Sequence, residues 1–204
     1  MKPRANHKRA GFTLIELLIV AALLGVIVVK GSLILSTSTS MVSQETSRMM
    51  VEDQARSVLD KIARAVMASD RRSLAPILNP GSSNDINFQI SLGVEAGEVV
   101  WGEPERIQLA GTELEQLVWS QNPGELNELR SIWSKSVQPY LEGEVFNGVD
   151  DNGNGLVDEL GLSFLVDGNE ITVRLSLGRR SAEGVVSIRT METVVSVRNN
   201  PLQP

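Results

Sequence analysis

Residues 12–29 read FTLIELLIVAALLGVIVV, eighteen residues whose only charge is Glu16. As a helix this run is about 27 Å long, slightly short of the roughly 30 Å hydrocarbon core of a bilayer. GSLIL beyond Lys30 extends the apolar length, and Lys30 can snorkel toward the interface. Lys2, Arg4, Lys8 and Arg9 precede the run, with no acid before Glu16. That asymmetry predicts a cytoplasmic N-terminus, with the rest of the chain across the membrane. A secretory signal has a shorter apolar core followed by a small-residue cleavage site; here the core is long, and the small residue, Gly11, comes before it. A plain signal anchor fits the length and the charge but gives Glu16 no purpose. An acid inside lipid is expensive and marks a functional position.

Together, KRAGFTLIELLIV (8–20) closely resembles the leader and first helical turns of type IV pilins and pseudopilins. The resemblance implies cleavage by a membrane prepilin peptidase after Gly11, which makes Phe12 the new N-terminus, and methylation of its amine. It further implies that Glu16 neutralises the N-terminal amine of a neighbouring subunit in the filament. A buried carboxylate needs such a partner. The implied organisation is a leader at 1–11, a transmembrane and filament-core helix at 12–35, an amphipathic stalk at 36–69, and a periplasmic head at 70–204. The implied fold is α+β and pilin-like, a long N-terminal helix on a mostly antiparallel sheet.

Residue patterns fill in that outline. No Gly or Pro falls between Met41 and Ser69. Val42, Met49, Val58, Leu59, Ile62, Val66 and Met67 recur at roughly helical spacing among charged residues, as in an amphipathic helix. A continuous helix from Phe12 to Ala68 would hold 57 residues, about 85 Å, with Gly25 and Gly31 as places to bend. Past Pro76 and Pro80 the period changes. Strands are expected at 86–92, 98–102 and 106–111, the second closing a hairpin. TELEQLVWSQ (112–121) suits strand or helix, and a short helix is expected after Pro123. Trp101, Trp119 and Trp133 show no common face by spacing and read as core residues rather than a sugar platform. Two alternating runs at 162–177 joined through Asp-Gly form a β-hairpin. A last strand covers 191–199, and 179–189 reads as mostly loop. The late hairpin, the SVRN ending and ARSVLDKIARAVMAS resemble the minor pseudopilin called J of type II secretion, and also the minor pilin called W of type IV pili.

NGVDDNGNGLVDELG (147–161) is the head's clearest chemical motif. Asp150, Asn152 and Asn154 alternate, Gly155 permits a sharp turn, Leu156 offers a carbonyl, and Asp158 follows. These are the first, third, fifth, sixth, seventh and ninth positions of a calcium loop. Calcium takes six to eight oxygens, which suits this set. Zinc is disfavoured because there is no Cys and the single histidine, His7, lies in the leader. The twelfth position, where an EF-hand carries a bidentate glutamate, is Gly161; Glu159, Asp151, water or a distant carboxylate can take its place. The expected role is structural, with modest affinity.

No catalytic constellation is visible. Cys is absent, the mature chain would hold no His, and there is no phosphate-binding glycine loop. The chain reads as a peptidase substrate, not an enzyme. The net charge of −6 argues against nucleic acid as a partner. The expected partners are other minor and major pseudopilins, the prepilin peptidase/methylase, and an inner-membrane assembly platform. Two roles are open: a minor subunit of a periplasmic pseudopilus for type II secretion, or a minor pilin of a type IV pilus in adhesion, motility or DNA uptake. A simple membrane-anchored calcium-binding domain is more remote.

Overall fold

The computed structural model describes residues 13–77, 81–181 and 184–197. Helix α1 runs Leu14–Met67, 54 residues unbroken through Gly25 and Gly31. The chain divides into two compact units, 1–43 and 44–204. In the first, the apolar side chains from Leu14 to Leu35 are all exposed within the single chain. This stretch is long and apolar enough to cross a membrane.

In the second unit the helix buries Ser47, Val51, Ala55, Val58, Leu59, Ile62 and Val66. The steps of three and four residues put them on one stripe. Of the expected apolar positions, Val58, Leu59, Ile62 and Val66 lie on this stripe, whereas Met49, and Val42 in the first unit, are 57% and 65% exposed. Small Ala55 and Ser47 complete the stripe in place of those larger residues.

The strands form three antiparallel groups. β1 (Asp85–Phe88), β4 (Glu105–Ala110), β5 (Gln116–Gln121) and β6 (Leu129–Ser134) make a sheet in the order β1-β4-β5-β6. β2 (Ser91–Glu95) and β3 (Glu98–Trp101) form a separate hairpin. β7 (Leu162–Asp167), β8 (Glu170–Arg180) and β9 (Val186–Ser196) form a three-stranded sheet. The alternation of β4 buries Ile107 and Leu109, and that of β8 buries Ile171, Val173, Leu175 and Leu177. These join the α1 stripe, Phe88 and Phe164 in one hydrophobic core. The arrangement is α+β and pilin-like, as expected.

Three local expectations are corrected. The run 86–92 is two strands, because the chain switches from the four-stranded sheet to the β2–β3 hairpin at residues 89–90. The helix expected after Pro123 is instead a turn followed by β6. Leu126 and Leu129 are exposed, so their helical spacing buries nothing, and pairing to β5 prevails. The stretch 179–189 is strand at both ends: β8 and β9 stay in register from Glu170↔Ser196 to Arg180↔Val186, and Ser181 N–H donates to Val185 O at 2.7 Å across the turn.

Adjacent strands also bring two tryptophans together. Trp119 on β5 stacks on Trp133 on β6, with centroids 6.4 Å apart and planes 5° from parallel. Both pack against the core. Spacing along the chain hid this shared face because it is created by the β5–β6 pairing, which has a register shift beside Leu117 and Val118.

Candidate functional site

Two places hold the residues singled out from sequence. The first is the start of α1. Gly11 and Phe12 lie outside the described residues. Glu16, in the helix's first turn, accepts hydrogen bonds at Oε2 from Thr13 N–H and from Thr13 Oγ1, both at 2.9 Å. Glu16 N–H donates back to Thr13 Oγ1 at 3.3 Å. This reciprocal pair is a capping box, with Thr13 as the cap residue and Glu16 three residues on. It satisfies donors that a helix start leaves open. The T-x-x-E spacing is a sequence signal for this cap, overshadowed there by the acid's implied role between subunits. Among the described residues, Thr13 is the side-chain partner of Glu16.

Residues 6–29 match the family model of the prokaryotic N-terminal methylation motif. The match indicates a type IV pilin-like protein. It spans Lys8 and Arg9, the Gly11–Phe12 junction, Glu16 and the apolar run up to Val29. The motif implies processing by a prepilin peptidase and assembly with other pilin-like subunits. Comparison with curated proteins found no match, and comparison with solved structures found none.

The second place is the acidic loop before β7. Its motif residues form a series of turns closed by their own side chains. Asp150 Oδ1 accepts from Gly153 N–H at 2.7 Å and Asn154 N–H at 3.1 Å, and Oδ2 accepts from Gly155 N–H at 2.7 Å. These bonds, Gly155's first, hold the Asp150 carboxyl below its ordinary range, against a smaller desolvation effect. Asn152 Oδ1 accepts from Asn154 N–H, and Asn154 Oδ1 from Leu156 N–H. Gly155 has φ +88, a left-handed conformation that glycine adopts without cost. Asp158 accepts from the N–H groups of Asn147 and Gly148, tying the two ends of the loop. Asp151 accepts from the Asn147 side chain.

Beneath the loop lie two buried carboxylates. Glu159 is 3% exposed; it accepts from Asn154 Nδ2 at 3.0 Å and from Arg174 on β8 at 3.1 Å. Burial foremost raises its pKa and the charge of Glu144 adds to the rise, while Asn154 and Arg174 oppose it. Arg174 also pairs with Glu192 on β9 at 2.7 Å. Glu144, 7% exposed, accepts from Asn152 N–H at 3.1 Å through Oε1. Its other oxygen, Oε2, is buried and has no hydrogen-bond partner among the described residues.

The donor set fits a hard cation: side-chain oxygens of Asp150, Asn152, Asn154 and Asp158, and the Leu156 carbonyl, follow one tight turn. Among the described residues, no group of three or more His, Cys, Asp or Glu side chains meets the geometry of a metal site. The loop's oxygens come in large part from amides and the backbone instead. The buried, unpartnered Glu144 oxygen is what a loop prepared for a cation would leave open.

Proposed function

We propose that the chain is a minor pseudopilin of type II secretion. It is cut after Gly11 and methylated at Phe12, and it assembles into, initiates or caps a periplasmic pseudopilus. The methylation motif at residues 6–29, continuous with a helix apolar enough to span a membrane, supports the pilin-like class, and the choice of a pseudopilin follows the resemblance of the late hairpin and of residues 55–69 to the J-type subunit. The N-terminus faces the cytoplasm and the head the periplasm, as the basic leader directs. Glu16 exchanges its contact with Thr13 for the amine of an adjacent subunit when the helices pack together. The head performs no catalysis. Its loop at 150–161 takes calcium as a structural ion, with Asp150, Asn152, Asn154, Asp158 and the Leu156 carbonyl as ligands and Glu159 fixing Asn154 from below. When bound, the cation neutralises the loop's acids and holds the turn that leads into β7.

The experiment is intact-mass and N-terminal analysis of the membrane-purified protein, with and without its prepilin peptidase. A chain starting at methylated Phe12 only when the peptidase is present is the expected result. A chain retaining Met1–Gly11 beside an active peptidase overturns the reading. In-cell crosslinking then names the machine: adducts with secretion pseudopilins support the proposal, and adducts with the subunits of a surface pilus overturn it in favour of a minor pilin.

A further inference from the structure

We propose that Glu144, outside the loop and six residues before Asp150, supplies the carboxylate that the calcium loop lacks at its twelfth position. The inference rests on the calcium reading of the loop and extends it to a residue the motif does not contain.

Position twelve cannot supply that group. A Cβ built on Gly161 would overlap the Gln138 carbonyl oxygen and lie 2.8 Å from its carbon. The chain is pressed there by pairing on both sides. Gly161 N–H donates to Pro139 O at 3.1 Å, and Ser176 N–H donates to Gly161 O at 2.7 Å. The obstruction is backbone, so no rotamer change makes room. A glutamate at 161 is incompatible with this fold, and any further carboxylate has to come from elsewhere.

The same pairing delivers one. Tyr140 bridges Leu160, and Leu141 N–H donates to Glu159 O at 3.1 Å, so residues 140–141 run antiparallel to the end of the loop. A turn closed by Glu144 N–H to Leu141 O at 3.0 Å then brings Glu144 under the loop. Gly143 makes the approach possible: a Cβ there would already stand 3.3 Å from the Asn152 Cβ, at φ +94. Glu144 Oε1 is fixed by Asn152 N–H, the backbone of the loop's third position. Oε2 is left buried with no donor among the described residues.

Such an atom is costly unless a cation or a hydrogen bond meets it. The nearby cationic side chain, Arg174, is already committed to Glu159 and Glu192. Arg174 thus serves Glu159 and Glu192, while the neighbouring Glu144 carboxylate has only the Asn152 N–H among the described residues. A divalent ion over Glu144 Oε2 and the loop oxygens removes the imbalance. Glu159, held by Asn154 and Arg174, is the positioning residue, and Glu144 is the ligand.

Calcium chloride titrated calorimetrically into the chelator-treated, detergent-solubilised full chain tests this, together with thermal unfolding in excess chelator and in calcium. The wild type should bind one ion. Asp150→Asn should abolish binding, Glu144→Gln should weaken it at least about tenfold, and Glu144→Asp should fall between. In chelator, Glu144→Gln should melt close to the wild type, because the amide oxygen still accepts from Asn152 N–H. In calcium it should lose most of the wild type's upward shift. No binding by the wild type overturns the loop reading and this inference together. Binding lost in Asp150→Asn but intact in Glu144→Gln overturns the inference alone. So does a Glu144→Gln protein that melts lower in chelator yet keeps the full calcium shift, since that is the behaviour of a structural residue.

Discussion

Glu105 shows how one residue's environment sets a pH dependence. It begins β4, is buried, and accepts a 2.6 Å hydrogen bond from Trp119 Nε1. Desolvation raises its pKa above the ordinary 4.5, and the tryptophan bond opposes the rise. The folded protein therefore holds this proton more tightly than the unfolded chain. The associated stability is full below about pH 4.5 and is lost as pH climbs through the raised value. Glu105→Gln keeps an oxygen for Trp119 and removes the titration. Relative to the wild type, its urea midpoint should improve as pH rises from about 4.5 through the raised value and level off above it; a constant offset throughout would rule out the burial argument. The acidic loop shows the limit of sequence at the same scale. Asp150, Asn152 and Asn154 are recognisable because local spacing places their oxygens. Glu144 is not, because only the long-range bridge between Tyr140 and Leu160 brings it there.

Whole elements are legible where the pattern is local and long. The hairpin of β7 and β8 follows directly from two alternating runs around Asp-Gly. The extent of α1 is nearly what the absence of Gly and Pro between 41 and 69 requires. Val58, Leu59, Ile62 and Val66 are buried as their spacing implies. What escapes is where that face ends: Val42 and Met49 look like core by spacing but are exposed, and Val51 and Ala55 take the buried positions instead. Only the tertiary contact decides which turns of the helix are covered. β6 is hidden for a related reason, since LNELRSIW has helical spacing but gains more by pairing with β5. The limit of the buried face is testable. Ile62 is fully buried, so Ile62→Ala should destabilise the head by about 3 kcal/mol, transfer and cavity terms combined. Met49→Ala should change stability by less than about 0.5 kcal/mol, as exposed positions do. Urea unfolding followed by tryptophan fluorescence separates the two, and equal losses would contradict the assigned face.

At the scale of the molecule, the question is what Glu16 does once subunits meet. The single chain gives it a local answer, the capping box with Thr13, and a capping role alone would account for its position. The proposed assembly gives it a second partner, the amine of an adjacent processed chain. The two roles respond differently to mutation. Thr13→Val removes the hydroxyl from the box but leaves the carboxylate charged and available between subunits. Glu16→Gln retains a side-chain oxygen that can accept from Thr13 but carries no charge to neutralise an amine. If pairing between subunits governs assembly, Glu16→Gln should lower crosslinked pseudopilus at least about tenfold, since a hydrogen bond to a charged group far outweighs a neutral one in a water-poor setting. Thr13→Val should assemble nearly as the wild type does. Both should still be cut after Gly11 and reach the membrane, which intact mass and fractionation establish. Should Thr13→Val fail as badly as Glu16→Gln, the carboxylate's work is to start its own helix, and the partner in the neighbouring subunit must be sought at another residue.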